Sequence, residues 1–251
     1  DPSGYVYEAV SSNRLPDVTA TIYGKSQKED MYGDMHDVIT KWDAVPYYQV
    51  NPQQTDANGI YAWDVPQGLW QVKYEKQGYE TLFSEWLPVP PPQLDINVGM
   101  TQAVNPKVKI VKGYEEGINI EFDKYMLPAT AIADNLNIVY NGETVSGTVK
   151  LLNEEKGYAD DNNTYVSKIR FVPNNQKFKV NDKVSVTVKA PCASYLNMPM
   201  RADTTIIVTI EQEIKSLVSD ESISVVMNEN GEIKVKALPA DAAKGRIVTA
   251  Q

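Results

Sequence analysis

Cysteine and histidine are almost absent from this chain of 251 residues, which has one of each, Cys192 and His36. A single cysteine excludes an intrachain disulfide and a thiolate cluster that could hold zinc. A single histidine excludes metal sites built from several imidazoles and leaves one imidazole for acid–base chemistry. These two absences argue against an enzyme.

Basic stretches and long apolar runs are also missing. The net charge is −9, and no run of Lys or Arg forms a stripe that would neutralise phosphates, so nucleic acid is not an expected partner. No apolar run approaches the ~18–20 residues of a membrane span, so membrane insertion is not expected. The N-terminus lacks the basic and apolar parts of a signal peptide, which indicates a mature or excised fragment.

Short runs in which Val, Ile, Thr and Tyr alternate with polar residues are abundant, and Gly, Asn, Asp and Pro separate them. No segment sustains helical spacing, although residues 129–135 predict one helical turn. The chain is therefore predicted to be all-β, built from tandem β-sandwich domains. Strands are predicted near residues 4–10, 17–24, 60–65, 69–76, 93–99, 107–114, 117–122, 136–140, 144–152, 165–172, 183–190, 204–211, 213–218, 222–227 and 231–238.

Two joints divide the predicted strands into three groups. One lies at residues 101–108, where an Asn-Pro pair precedes a new strand, and the other lies near residue 212. We therefore predict domains at 1–101, 102–211 and 212–251. The last segment is too short for a sandwich of about 100 residues, so it is predicted to be part of a further domain.

The segment TDANGIYAWDVPQGLWQVKYEKQGY (55–79) is rich in aromatic rings. Side chains alternate between the two faces of a strand, so the rings of two neighbouring predicted strands share one face. That face is expected to pack in a core, with an exposed platform for sugars or peptides as the alternative. The set comprises Tyr61, Trp63 and Val65 on one strand and Trp70, Val72 and Tyr74 on the next.

The DANG sequence within this segment has two readings. Asp56, Asn58 and Gly59 match the start of an acidic calcium loop, but the remaining ligands of such a loop are missing. Asn and Gly also accept positive φ, and Asp bonds neighbouring amides, as a tight turn requires. We predict a turn.

A spaced set of residues runs from the N-terminus to position 79: Gly4, Val6, the run 15–18, Thr55, Asp56, Gly59, Tyr61, Pro66, Gly68, Val72, Gly78 and Tyr79. Through this set, residues 1 to about 100 resemble the carboxypeptidase regulatory-like family of transthyretin-like, Cna-B-type β-sandwiches. Trp70 stands where that family usually has Tyr, and the stretch 25–54 is longer than the usual connection. The resemblance implies a transthyretin-like sandwich.

The long connection 25–54 is the part of the first domain where a ligand is expected. Four rings that parity does not assign to the core are candidate ligand-binding residues: Trp42, Tyr47, Tyr48 and Trp86. We expect exposure of Trp42 and Trp86 on one continuous patch if they bind a glycan or protein, and burial of both if they do not.

The same connection also suggests two weaker sites. Asp34, His36 and Asp37 have the right chemistry for metal ligands, but three so close together more often form a solvated loop. Asp34 and Asp43 could act as the acid pair of a glycosidase. No nucleophile or phosphate-loop motif accompanies them, so the chain is predicted not to be an enzyme.

The middle of the chain resembles the bacterial Ig-like domains of surface-layer and other large surface proteins, and residues 212–251 resemble the opening strands of a second bacterial Ig-like type. The sequence CASYLNMPM departs from the closing Asp and Gly of the first type. The two resemblances are carried by Phe122, Lys124, Met126, Asn141, Gly142, Val145, Gly147, Val149, Phe171, Pro173, Val184, Val186 and Val188, and by Gly231, Val235, Ala237, Pro239, Asp241 and Ala242.

An oxygen-rich stretch, EKGYADDNNTY (155–165), lies in this middle domain. Glu155, Asp160, Asp161 and Asn163 are candidate calcium ligands, because calcium prefers carboxylate and amide oxygens. A long acidic hairpin loop that its charge keeps solvated is the more usual outcome for such a stretch. No cofactor is therefore expected, and calcium is the alternative.

Three unlike β modules in series are typical of a non-catalytic segment of a secreted or cell-surface bacterial protein, acting as a spacer, stalk or adhesion scaffold. This expectation comes from the resemblances, because a fold by itself does not determine function. The expected partners are neighbouring domains of the same polypeptide. The alternatives are a module that binds a surface glycan or protein, and the accessory domains of a polysaccharide-degrading enzyme.

Overall fold

The structure is a computed structural model and describes residues 1–158, 162–213, 223–227, 233–237 and 246–249. The described elements are β-strands and short 3-10 turns, which confirms the predicted all-β class with sandwich-like domains. The compact units are Asp1–Glu211 and Gln212–Gln251. The first two predicted domains therefore lie within one compact unit.

The first sandwich is built from two sheets. One sheet has the order β10-β1-β2 with β6 on β1, and the other has the order β4-β3-β7-β8 with β5 on β3 and β9 on β7. Its strands are β1 (Ser3–Glu8), β2 (Val10–Arg14), β3 (Thr19–Glu29), β4 (Met35–Lys41), β5 (Gln53–Gln54), β6 (Ile60–Ala62), β7 (Gly68–Glu75), β8 (Leu82–Phe83), β9 (Leu87–Val89) and β10 (Val98–Gly99).

Parity along β6 and β7 assigns the ring-rich face to the core, as predicted. The hydroxyls of Tyr61 and Tyr74 lie 2.6 Å apart, and Tyr61 also donates to the carbonyl of Ile96 at 2.7 Å. The buried phenols are therefore hydrogen-bonded, which removes the cost of burying them. All six residues of the predicted set are buried: Tyr61, Trp63, Val65, Trp70, Val72 and Tyr74.

The DANG sequence forms the predicted turn. The Asp56 carboxylate accepts hydrogen bonds from the amides of Asn58 and Ile60 at 2.8 and 2.9 Å, and Gly59 has φ +70°. A Cβ on Gly59 would lie 2.5 Å from the carbonyl oxygen of Val6. Glycine is required here by both the backbone angle and the close approach of β1.

The connection 25–54 differs from the prediction, because β3 continues to Glu29 and pairs with an unpredicted strand, β4. Together they form a hairpin that extends beyond the core. Most of its side chains are exposed on both faces, so the hydrophobic alternation that identifies a strand is lacking there.

The second sandwich is one sheet path of nine strands, with the order β14-β13-β18-β19-β11-β12-β17-β15 and β16 on β17. Strand β19 pairs antiparallel with β18 and parallel with β11. It therefore joins the two halves of the path, β14-β13-β18 and β11-β12-β17-β15. The strands are β11 (Val108–Tyr114), β12 (Gly117–Met126), β13 (Leu136–Tyr140), β14 (Glu143–Thr144), β15 (Gly147–Leu151), β16 (Glu155–Lys156), β17 (Thr164–Pro173), β18 (Lys183–Val188) and β19 (Thr204–Glu211).

One apolar core lies between the two halves of this path. Alternate residues of β12 and β17, including Ile120 and Ile169, face Ile138 of β13 and Val186 of β18. The helical turn predicted near residues 129–135 is a 3-10 turn at Ala133–Asn135. Period-two alternation thus accounts for the packing of the second sandwich.

The unit Gln212–Gln251 contains an antiparallel sheet of three described strands. They are β20 (Ile223–Met227), β21 (Ile233–Ala237) and β22 (Arg246–Thr249), in the order β20-β21-β22. Two of them match the strands predicted near 222–227 and 231–238. The strand predicted at 213–218 lies almost entirely outside the described residues.

Candidate functional site

The four predicted ligand-binding rings lie just after β4, on the 3-10 turn that follows, and between β8 and β9. Trp42 follows β4, and its amide donates to the carbonyl of Ile22 at 3.1 Å. Its ring is half-buried against the first core, 5.6 Å from the Trp70 ring and 5.3 Å from the Tyr47 ring. Trp42 therefore closes one end of the sandwich.

Trp86 lies between β8 and β9. The ammonium of Lys25 lies 5.4 Å from the centre of its ring. On β3, Gly24 faces the Trp70 ring in the core, so its neighbour Lys25 points outward. Neither tryptophan is fully buried or fully exposed, so neither joint exposure nor joint burial is met, and ligand binding by these rings stays a prediction.

The other two rings lie on an exposed turn. Tyr47 ends the 3-10 turn Val45–Tyr47 and is 49% exposed, whereas Tyr48 is completely exposed. Tyr48 has φ +56°, a left-handed conformation that costs a residue with a Cβ about 1–2 kcal/mol. The fold therefore presents this ring to solvent at some cost in stability.

The suggested metal set Asp34, His36 and Asp37 does not assemble. His36 Nε2 lies 2.9 Å from Asp30 Oδ2, whereas Asp37 pairs with Lys25 at 2.5 Å. His36 and Asp37 are neighbours on β4 and so point to opposite faces. Within the described part of the chain, no group of three or more His, Cys, Asp or Glu side chains is placed to hold a metal ion.

The suggested acid pair is also too far apart. Asp34 precedes β4 and Asp43 follows it, so seven strand residues of about 3.3 Å each separate the two carboxylates by roughly 20 Å or more. Glycosidase pairs lie about 5–9.5 Å apart. The hairpin geometry thus removes this pair.

The predicted calcium stretch makes contact with the first sandwich. The carboxylate of Glu155, on β16, accepts hydrogen bonds from the hydroxyl of Ser11 at 3.4 Å, the amide of Ser12 at 3.2 Å and the hydroxyl of Ser12. Asn163 is exposed, and Asp160 and Asp161 lie outside the described residues. Glu155 is thus engaged in a contact between the sandwiches, and calcium binding here stays a prediction.

A buried ion pair joins the two sandwiches and was missed by the sequence analysis. Glu8, at the end of β1, lies 2.7 Å from the ammonium of Lys124 on β12, and their side chains are 4% and 10% exposed. Glu8 also accepts hydrogen bonds from the hydroxyls of Tyr79 at 2.5 Å and Tyr195 at 3.1 Å. Lys124 donates a further bond to Gln102 of the connecting segment at 2.7 Å. We call these five residues the joint network.

Charge and burial act together in the joint network. Burial, followed by the neighbouring Glu8 carboxylate, raises the pKa of Tyr79 above its ordinary value. The same two causes, in the same order, raise the pKa of Tyr195. Both hydroxyls therefore remain protonated and act as donors to the carboxylate.

Local backbone features position these side chains. A bulge between Tyr7 and Glu8 is followed by Ala9 at φ +66°, and this irregularity ends β1 where Glu8 meets the second sandwich. Gly78 has φ +83°, and a Cβ there would lie 2.5 Å from Nε2 of Gln102. Gly78 therefore leaves room for Gln102, and Tyr79 donates to Glu8, so both residues support the joint network.

A second contact between the sandwiches is aromatic. The ring of Tyr158 lies 4.6 Å from Tyr7 and 6.1 Å from Tyr5, and its hydroxyl accepts a hydrogen bond from Asn97 at 3.1 Å. Burial, followed by the neighbouring Tyr158, raises the pKa of Tyr7 to about 12. This cluster and the joint network both connect β1 to the second sandwich.

No protein-family model and no curated protein matches this chain. Among solved structures, it is similar to the N-terminal part of the bacterial S-layer protein SbsC, with 17% identity, a TM-score of 0.37, and coverage of 59% of this chain and 33% of that chain. It is also similar to domains 1–6 of the surface layer protein SbsC, with 16% identity, a TM-score of 0.35, and coverage of 58% and 19%. The chain thus spans a third or less of those chains.

Among the described residues, no helix is long and apolar enough to cross a membrane.

A sequence signal for the joint network exists in the parity of two strands. Lys124 follows Ile118, Ile120 and Phe122 at inward positions of β12, and Glu8 follows Val6 on β1 in the same way. A charge at an inward position requires a partner. That Glu8 and Lys124 are each other's partners becomes visible only when the two sandwiches are placed together.

Proposed function

We propose that residues 1–211 form a rigid two-sandwich spacer in a secreted or cell-surface bacterial protein, with a structural rather than a catalytic role. The joint network carries this proposal. Glu8 is satisfied by Tyr79 of its own sandwich and by Lys124 and Tyr195 of the other. One relative orientation satisfies all of these groups at once, so the contact favours a fixed angle over a free hinge.

The connecting segment supports the same proposal, because it is tied at both ends. Thr101 accepts a hydrogen bond from the amide of Glu80 at 3.1 Å. Asn105 donates to the carbonyl of Pro199 at 2.8 Å and accepts from Arg201 at 3.0 Å. A flexible linker would leave these groups to water.

The sequence resemblances add the location to this proposal. The first sandwich resembles carboxypeptidase regulatory-like domains, and the second resembles bacterial Ig-like domains of large surface proteins. We assign both family names, and the setting in a bacterial surface or secreted protein, as part of the proposal.

Residual dipolar couplings test the rigidity of residues 1–211. The two sandwiches, measured separately in the intact chain, should give alignment tensors of the same magnitude and orientation. Tensors that differ in magnitude or orientation between the sandwiches would show independent motion and contradict the spacer proposal.

A carbohydrate-binding module is the second candidate. It is favoured by Tyr48, whose ring is exposed and whose backbone has a positive φ. A cleft of about 290 Å³ in the same sandwich is lined by Trp42, Trp70, Asp43 and Gln67, a mixture of rings and polar groups that suits sugars, and Trp42 contacts Tyr47, the neighbour of Tyr48 in sequence. A glycan array on the intact chain tests this candidate. Signals that disappear in Tyr48→Asn, which tolerates positive φ, would support it; a blank array would contradict it.

A further inference from the structure

An open cleft of about 780 Å³ lies over the outer face of the second sandwich. Three cations, Lys150, Arg170 and Lys177, line it together with one carboxylate, Glu116. Asn174, Asn175 and Gln176, whose side chains end in amides, complete the polar lining. We call this feature the basic cleft. Its local excess of positive charge stands out in a chain whose net charge is −9.

Strand register creates the basic cleft. Lys150 of β15 pairs with Arg170 of β17, Arg170 pairs with Asn119 of β12, and Asn119 pairs with Lys112 of β11. Paired residues point to the same face, and neighbouring strands lie about 4.8 Å apart. A row of polar and basic side chains therefore crosses four strands, although the four residues are scattered between positions 112 and 170.

The position of Arg170 is set by its surroundings. Its guanidinium donates to Asn119 at 3.2 Å and lies 5.7 Å from the centre of the Tyr114 ring. A Cβ on Gly117 would lie 2.7 Å from Arg170 Nε, so glycine makes room for the side chain along the sheet. A positioned guanidinium loses less entropy when it binds a carboxylate than a free side chain would.

The two lysines of the basic cleft are exposed, so their ammonium groups can contact a ligand. Lys177 pairs with Glu116 at 2.8 Å, with 69% of its side chain exposed, and Lys150 is exposed. Exposed pairs of this kind contribute little to stability, so a ligand carboxylate can replace Glu116 at small cost.

We propose that the basic cleft binds an acidic polysaccharide. Arg170, Lys150 and Lys177 pair with carboxylates of the sugar chain. The side-chain amides of residues 174–176 donate hydrogen bonds to the sugar hydroxyls and accept hydrogen bonds from them. An open cleft on a sheet face suits a linear chain that enters and leaves at the surface.

Nucleic acid fits this cleft less well. Binding of a single strand uses rings on which bases stack, and none of the described residues that line the cleft is aromatic. Nucleic acid is therefore treated as an outcome of the test.

Isothermal titration calorimetry on the intact 251-residue chain tests the proposal. The probes are polygalacturonate and its fully methyl-esterified form, which keeps the backbone and removes the charge. The double variant Lys150→Gln with Lys177→Gln should weaken polygalacturonate binding by about three- to tenfold, since each exposed charge contact contributes modestly. The esterified polymer should not bind.

A matched double variant controls for charge alone. Lys28→Gln with Lys183→Gln removes the same two charges from exposed positions of β3 and β18 and should bind as the unaltered chain does. Equal weakening in both doubles, equal binding of the esterified polymer, or no polygalacturonate binding would overturn the proposal. Single-stranded DNA that binds more tightly than polygalacturonate and depends on Lys150 and Lys177 would overturn the ligand class. Matching thermal melts of both doubles would show that folding is intact.

Discussion

Replacing Lys124 by Met should uncouple the two sandwiches. The substitution keeps the length of the side chain but removes the ammonium 2.7 Å from Glu8, whose side chain is 4% exposed. Removing one partner of a buried pair costs about 3–5 kcal/mol while the other charge stays dry. The sandwiches can reduce that cost by separating, because water then solvates the Glu8 carboxylate.

Urea unfolding followed by two signals can detect this uncoupling. The four tryptophans lie at positions 42, 63, 70 and 86, so their fluorescence reports the first sandwich, whereas circular dichroism reports all strands. Coincident transitions are expected for residues 1–211 of the unaltered chain. In Lys124→Met, the fluorescence transition should separate from the circular dichroism transition.

Two further variants isolate the cause of this uncoupling. Lys109→Met removes an exposed cation 3.0 Å from Glu121 and should cost no more than about 1 kcal/mol without separating the transitions. Adding Glu8→Gln to Lys124→Met replaces the uncompensated charge by an amide and should restore part of the lost stability. If Lys124→Met behaves like Lys109→Met, the joint network does not couple the sandwiches.

Two other predictions concern Gly78 and the tip of the hairpin β3–β4. Gly78→Ala should lower the free energy of unfolding in urea by about 1–3 kcal/mol, because φ is +83° and the new Cβ meets Gln102. Adding Gln102→Ala should relieve the clash but not the backbone strain. Strictly additive losses of stability in the two single variants and the double variant would contradict this geometry. The hydrogen bond from His36, followed by those from the amides of Asp34 and Tyr32, lowers the pKa of Asp30 below its ordinary value. This stabilisation is present above the unfolded pKa and is lost as the pH falls through the folded pKa. In an NMR titration, His36→Ala should raise the pKa of Asp30, and an unchanged midpoint would refute the assignment.

Alternation predicted much of the fold because burial follows a period of two along a strand. Tyr61, Trp63 and Trp70 were assigned to the core from parity, and all are buried. Strand β13 was predicted with its observed limits, Leu136–Tyr140. The hairpin formed by β3 and β4 was missed because both of its faces are exposed, so no alternation marks it.

The candidate sites were harder to predict than the fold. Trp42 and Trp86 were candidate ligand-binding rings, and the partial burial of both leaves that role a prediction. Glu155 was a candidate calcium ligand for its chemistry, and the structure shows its contact with Ser11 and Ser12. Composition identifies polar groups, whereas their partners depend on which segments meet.

The sequence by itself determined the all-β class, the inward faces of the central strands and the turn at DANG, because each depends on residues close together in the chain. The tertiary structure decided which distant groups meet. Glu8 reaches Lys124 across 116 positions, and Lys150 comes beside Arg170 through strand pairing. Sequence inspection found no basic stripe because Lys and Arg form no continuous run; pairing between strands assembles one from separate segments.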